Sequence, residues 1–275
     1  MKHFLPPLTL TSPEPSTLEL ALRDRVARTN ADRSQSSGDL PDSCEPLDLP
    51  GLAPSFADVR LWLAVLDDTP LEGARDWLSP TEEERASRFV VARDTMYYRA
   101  AHLTLRRILH ARHRVPRRME FQVGPFGKPR LSASGACEFN LSHSGGHALV
   151  AICPSFEIGA DIEELRPVQD LRQLAEAHFT RDECVELSRT PPEAQSAAFL
   201  RCWTRKEACL KAIGVGLNQA LTSVEVGLES DYRVLKVSQD GCESEVAVQS
   251  LSIGRGLIAA LARLNPPLRP PTGVR

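Results

Sequence analysis

Residues 199–217 read FLRCWTRKEACLKAIGVGL. Large apolar side chains recur through this stretch at helical spacing and glycines follow it, so it reads as a buried helix ending in a glycine-rich turn. Yet Lys206, Glu207 and Lys211 stand among Trp203, Leu210 and Ile213, and buried charges are costly unless something offsets them. Trp203, Glu207 and Lys211 lie at i, i+4 and i+8 and share one face, with Cys202, Leu210 and Ile213 on an adjoining one. On an exposed helix Glu207 and Lys211 would be an ordinary i,i+4 pair worth about 0.2–0.5 kcal/mol. Beside a tryptophan and aliphatic residues they point instead to a partly buried site that holds an ion or a phosphate.

The segment IGADIEE, residues 158–164, supplies a second set of charges. As a strand it sends Ile158, Ala160 and Ile162 to one side and Gly159, Asp161 and Glu163 to the other. Two carboxylates on one face repel unless a cation lies between them. Magnesium takes one or two carboxylates plus water and substrate phosphate; a solvated strand face is the plainer alternative. In FNLSHSGG, residues 139–146, Phe139 and Leu141 point to a core and leave Asn140 and Ser142 opposite. His143 falls at the strand end before the Gly145–Gly146 turn. Adjacent strand residues point apart and no G-x-S-x-G surrounds the serine, so a nucleophile–base pair is a poor fit. Hydroxyl, imidazole and turn amides are better suited to phosphate. In FGKPRL, residues 126–131, Gly127 and Pro129 fix a loop from which Lys128 projects. The run RRILHARHRVPRR, residues 106–118, carries six arginines and reads as a solvated helix face and loop that could meet an acidic partner.

The surroundings of these motifs bound the fold. The chain has 275 residues, 42% hydrophobic and 25% charged, with a net charge of −3, so bulk charge announces no nucleic-acid or membrane partner. Seven cysteines, at 44, 137, 153, 184, 202, 209 and 242, form no CxxC, which argues against a disulfide framework or zinc site and fits a reducing cytoplasm. Residues 1–54 hold eight prolines and read as a flexible extension, with one short helix at 16–28. Pro6 and Pro7 interrupt any signal-peptide core. Order is expected to begin near the alternating Val59, Leu61, Leu63 and Val65. Helices are expected after the capping boxes Ser79/Glu82 and Thr180/Glu183, and over 95–114 and 193–213. Strands are expected at LTSVEVGL (221–228), RVLKVS, SEVAVQSLSI and GLIAALARL, with a hairpin turn at Asp240–Gly241. Helices mixed with hairpin-connected strands, and no GxGxxG after the first strand, argue for an α+β fold and against a dinucleotide-binding one.

Each motif alone is weak, but their order is specific. FGKPRL, FNLSHSG, IGADIEE and WTRKEACLKAIGVGL follow one another over residues 126–217. Together with LSPTEEERASRF, residues 78–89, they resemble the 4′-phosphopantetheinyl transferases of the larger, surfactin-synthetase-activating type, over roughly 58–262. The resemblance implies a pseudo-dimer of two α+β halves, 55–155 and 156–265, with the active site in the cleft between them and a Pro-rich tail at 266–275. One chain would then build a whole cleft as a monomer. It implies transfer of the phosphopantetheine arm of coenzyme A to a serine of an apo acyl or peptidyl carrier protein, releasing adenosine 3′,5′-bisphosphate.

By position, Asp161, Glu163 and Glu207 match the family's Mg²⁺ ligands, with Mn²⁺ a substitute. Asp161, Glu207 and Lys211 match its catalytic set, Glu207 as base and Lys211 on the pyrophosphate. Lys128, Pro129, Asn140, Ser142, His143 and Lys211 match coenzyme A contacts, and Arg85 and Arg99 align with further basic contacts. Glu82 stands where some relatives carry a basic residue. The competing readings are a module that binds coenzyme A or a carrier without transfer, and a magnesium-dependent nucleotide phosphohydrolase.

Overall fold

Fourteen helices and strands are formed by the described residues. In order they are β1 (Arg60–Val65), α1 (Pro80–Ser87), α2 (Ala92–His113), β2 (Gln122–Val123), β3 (Pro129–Arg130), β4 (Glu138–Ser144), β5 (His147–Cys153), β6 (Ile158–Glu164), α3 (Leu171–His178), α4 (Arg181–Arg189), α5 (Pro192–Ile213), β7 (Tyr232–Gln239), β8 (Cys242–Leu251) and β9 (Leu257–Leu264), with short 3-10 turns between some of them. The computed structural model describes residues 46–265 except 68, 70, 132–136, 216–220, 240–241 and 255. The expected helix at 16–28, the Asp240–Gly241 turn and the tail from 266 lie outside the described residues.

Two antiparallel sheets, β1-β5-β4 and β6-β9-β8-β7, carry the fold, and β2 pairs separately with β3. Strand alternation then sets the layers. One face of the first sheet packs Trp62, Phe139, Val150 and Ile152 under Leu105, Ile108 and Leu109 of α2. Its other face shares a core with the second sheet, where Leu61, Leu149, Ala151 and Cys153 meet Ile158, Ala160, Ile162, Ala247, Ala259 and Leu261. The far face of the second sheet, Val246, Val248, Ala260 and Ala262, lies against Phe199, Leu200, Ala208, Leu210 and Ala212 of α5. The α+β expectation is met, with layers in the order helix, sheet, sheet, helix.

Both capping boxes are present. The Ser79 N–H donates to Glu82 Oε2 (2.8 Å) and the Thr180 N–H to Glu183 Oε2 (2.8 Å). Two expectations need correction. Residues 46–54, placed in the extension, belong to the packed fold: Leu47, Leu49, Leu52 and Ala53 lie on the core between the sheets, and the Ala53 N–H donates to Gln249 Oε1 (2.9 Å). The apolar residues alternating with prolines there supply burial that the proline count masks.

The second correction concerns 221–228, which forms a 3-10 turn at Leu221–Ser223 and then irregular chain, not a strand. Buried side chains take up its backbone groups in place of a neighbouring strand. Lys206, fully buried, donates to the carbonyls of Leu221 (2.9 Å) and Val224 (2.5 Å) and pairs with Glu183 (2.7 Å). Glu183 accepts from the Val226 N–H (2.8 Å), and Glu186 from the Leu228 N–H (2.7 Å).

Burial pushes the Glu183 carboxyl up, but Lys206 and the backbone N–H groups of Thr180 and Val226 outweigh it and hold the pKa below 4.5. The stability linked to it is therefore present above that value and lost as pH falls through the lowered pKa. Lys206→Met strands this carboxylate, so urea unfolding at pH 7 is expected to report a loss of about 3–5 kcal/mol. Glu183→Gln should flatten the fall in stability between about pH 5 and pH 3; an unaltered acid limb would exclude that linkage.

Candidate active site

The site begins with a glycine. A Cβ on Gly159 would lie 2.0 Å from the Ala208 carbonyl oxygen and 2.4 Å from the Ala212 nitrogen. Only glycine allows the backbone of α5 to rest directly on β6. That contact sets Lys211 over the neighbouring strand residue. Its Nζ donates to Asp161 Oδ1 (2.5 Å), to Ser142 Oγ (3.2 Å) and to the Ala160 carbonyl (3.2 Å).

Asp161 is 2% exposed, and its second oxygen, Oδ2, is buried with no hydrogen-bond partner. Burial pulls the Lys211 ammonium down, while Asp161, Glu207 and Glu163 together outweigh it and raise its pKa. The three acids named by the sequence thus act on one ammonium. They do not form a three-ligand cage: among the described residues no group of three His, Cys, Asp or Glu side chains is gathered closely enough to hold a metal. The orphaned Asp161 oxygen nevertheless suits an oxygen-seeking divalent cation that keeps water and phosphate in its shell.

Hydroxyls of β4 fix these acids in place. Ser142 Oγ donates to Asp161 Oδ1 (2.7 Å) and accepts from the Ile162 N–H (3.4 Å). Ser144 Oγ donates to Glu163 Oε2 (2.7 Å) and accepts from the Glu164 N–H (3.4 Å). Asn140 Oδ1 accepts from the Ala160 N–H (2.9 Å). Asn140 and Ser142, expected as coenzyme A contacts, therefore join β4 to β6. Ser144, which sequence reasoning missed, does the same. Its signal was the polar repeat at 140, 142 and 144, every second residue of an otherwise apolar strand.

The remaining candidates lie elsewhere. His143 alternates onto the side of Phe139 and Leu141, away from Ser142. Lys128 does not project into solvent. It is 8% exposed, bonded to Glu157 Oε2 (2.6 Å) and the Ile158 carbonyl (3.0 Å), while Pro129 pairs with Val123 in the β2–β3 ladder. Arg99 reaches Glu83 (2.7 Å) and Arg85 sits over the Tyr98 ring (6.0 Å), so both belong to the α1–α2 pair. Within the basic run, Arg106 is buried on Glu82 (2.6 Å), while Arg117 is exposed with its guanidinium over the Trp77 ring (4.6 Å). Lys206, the third charge of the opening stretch, lies away from the site and serves the 221–228 segment.

Comparison with known proteins supplies the next observation. The family model of the 4′-phosphopantetheinyl transferase superfamily matches residues 157–262. The chain is 37% identical over 185 residues to the 4′-phosphopantetheinyl transferase HetI of Nostoc sp., covering 65% of this chain and 78% of that protein. It is 30% identical over 197 residues to the 4′-phosphopantetheinyl transferase psf-1 of Bacillus pumilus, covering 71% and 83%. It is 30% identical over 250 residues to the human L-aminoadipate-semialdehyde dehydrogenase-phosphopantetheinyl transferase, covering 82% and 79%.

The chain belongs to the 4′-phosphopantetheinyl transferase superfamily.

It is accordingly a transferase, and the match to the Bacillus protein bears out the type read from the four motifs. The matched region of this transferase takes in Asp161, Glu163, Glu207 and Lys211, while Lys128 and the Asn140–Ser144 repeat precede it.

The bonds between β4 and β6 give a direct test. Asn140→Ala leaves the buried Ala160 N–H without an acceptor, at an expected cost of about 1–3 kcal/mol. Asn140→Asp, which keeps an acceptor, should recover most of that loss. Hydrogen exchange at the Ala160 amide should speed up in the alanine variant, and unchanged protection there would refute the assignment.

Proposed function

We propose that this transferase moves the 4′-phosphopantetheine arm of coenzyme A onto a serine of an apo acyl or peptidyl carrier protein, with Mg²⁺, releasing adenosine 3′,5′-bisphosphate. The serine Oγ forms a bond to the phosphorus that carries the pantetheine, and the bond from that phosphorus to the bridging pyrophosphate oxygen breaks. Phosphoryl transfer of this kind needs positioning and charge neutralisation more than covalent participation by the protein. What supports the reading is the packing of Lys211 on Asp161 beside Glu163 and Glu207, with one Asp161 oxygen left over.

In this reading Lys211 stays protonated, and its positive charge offsets the negative charge that builds on the leaving pyrophosphate oxygens. Glu207, 9% exposed and one helical turn from Lys211, takes the proton from the carrier serine, directly or through water. Mg²⁺, or Mn²⁺ in its place, would be held by Asp161 through Oδ2 with Glu163 and Glu207, and supplies further neutralisation of the diphosphate. Ser142 and Ser144 keep the two strand carboxylates aimed, because each donates its only hydroxyl proton to one of them.

The chain would work as a monomeric pseudo-dimer whose halves divide near residue 155, β4 and β6 facing each other across the division. A cytoplasmic setting suits the free thiols of Cys137, Cys153, Cys184, Cys202 and Cys209. Among the described residues no helix is long and apolar enough to cross a membrane.

The test is to incubate the protein with coenzyme A, Mg²⁺ and apo carrier protein, and to weigh the carrier. The expected result is a gain of one phosphopantetheine. No gain with several carriers would favour a binding module, and nucleotide release without carrier a phosphohydrolase. Glu207→Gln should lower kcat by about 10²–10⁴-fold while its urea midpoint stays near that of the parent. A near-native rate would remove Glu207 from the base role.

A further inference from the structure

Glu157 stands one residue before β6 and meets two cations from one strand. Lys128 and Arg130, at alternate positions around β3, both reach it: Lys128 Nζ at 2.6 Å from Oε2, and the Arg130 guanidinium on Oε1. The Lys128 ammonium also donates to the Ile158 carbonyl (3.0 Å), the first residue of β6. Opposite this contact is the end of α5, where a Cβ on Gly214 would lie 3.8 Å from Lys128 Cδ and 4.0 Å from the Arg130 guanidinium. One carboxylate thus fastens the loop carrying Lys128 to the strand that carries Asp161, beside the end of the helix that carries Lys211.

An ammonium has three N–H donors. Among the described residues Glu157 and Ile158 take two, which leaves a third for a ligand oxygen. Glu157 alone leaves one of these two positive charges unbalanced, and Glu138 is the further acid that acts on Lys128. Burial pulls the Lys128 pKa down, and Glu157 is the main group opposing it. Without that carboxylate a buried lysine would shed its proton or swing away.

We infer that Glu157 is a positioning residue for coenzyme A, acting through Lys128: it holds the buried ammonium charged and aimed so that its remaining N–H meets a phosphate oxygen of the ligand. The inference rests on the proposal that the site takes coenzyme A. It adds a residue that no motif singled out, and it gives the GKP lysine a fixed internal counter-ion.

The experiment measures coenzyme A affinity by calorimetry without carrier, and KM and kcat with carrier, for the full chain. Glu157→Gln is expected to raise Kd and KM for coenzyme A about tenfold with kcat within about twofold. Glu157→Asp should recover most of the affinity. In a Lys128→Ala background, Glu157→Gln should change the affinity no further, because its effect passes through the lysine. Unchanged or tighter binding in Glu157→Gln would overturn the inference, as would equal losses in both backgrounds. So would a fall in kcat and urea midpoint without the split between KM and kcat. Should the parent protein itself bind no coenzyme A, the proposed function fails first, and that outcome is distinct from a parent that binds and a variant that binds equally well.

Discussion

The structure depends on how two sheet edges are joined without a backbone ladder. β4 and β6 are the outer strands of their sheets, and an edge strand presents N–H groups that must find acceptors when buried. Here the acceptors are side chains: Asn140 for Ala160, Ser142 for Ile162 and Ser144 for Glu164. The repeat of two on one strand meets the repeat of two on the other, so a slip of one residue would break all three bonds at once. The same hydroxyls donate onward to Asp161 and Glu163. Register between the sheets and placement of the acids are therefore one constraint.

Helix α5 serves two charge systems that share only a backbone. On one side Arg205 and Lys206, both fully buried, hold the chain that follows the helix: Arg205 donates to the Gly227 and Ser230 carbonyls, and Lys206 to those of Leu221 and Val224. On the other side Glu207 and Lys211 belong to the site over β6. Neighbouring helical residues lie about 100° apart, so Lys206 and Glu207 reach different environments although adjacent in sequence. The charges that make this helix costly to bury are offset twice, by Glu183 and backbone carbonyls on one flank and by Asp161 on the other.

Much of this was legible because local rules were obeyed. The capping boxes fixed two helix starts, and alternation at 158–164 correctly separated Ile158, Ala160 and Ile162 from Gly159, Asp161 and Glu163. What stayed hidden depended on distant partners. The segment 221–228 has the apolar spacing of a strand, and nothing local reveals that Lys206 and Glu183 take its backbone groups. Lys128 looks like a loop lysine until Glu157, 29 positions on, is brought beside it. Asn140 and Ser142 read as ligand donors, and Ser144 went unnoticed, because the N–H groups that claim them lie on a strand 20 residues away. Pattern reports which face a residue occupies; it does not report what crosses to meet it.

The odd-numbered row along β6 draws these contacts into one arrangement. Glu157 takes Lys128 from the β2–β3 hairpin, Gly159 takes the backbone of α5, Asp161 takes Lys211, and Glu163 takes Ser144. The even-numbered residues between them are sealed in the core that both sheets share. A strand rises about 3.3 Å per residue, so the row sets its side chains at a spacing near 7 Å, each steadied by a different element. No single loop could fix three carboxylates and two ammonium groups in this way, because each anion repels the next and needs its own partner. Anchoring every member separately lets like charges sit in line. It also leaves Asp161 Oδ2 as the buried acidic oxygen of the row that still lacks a partner.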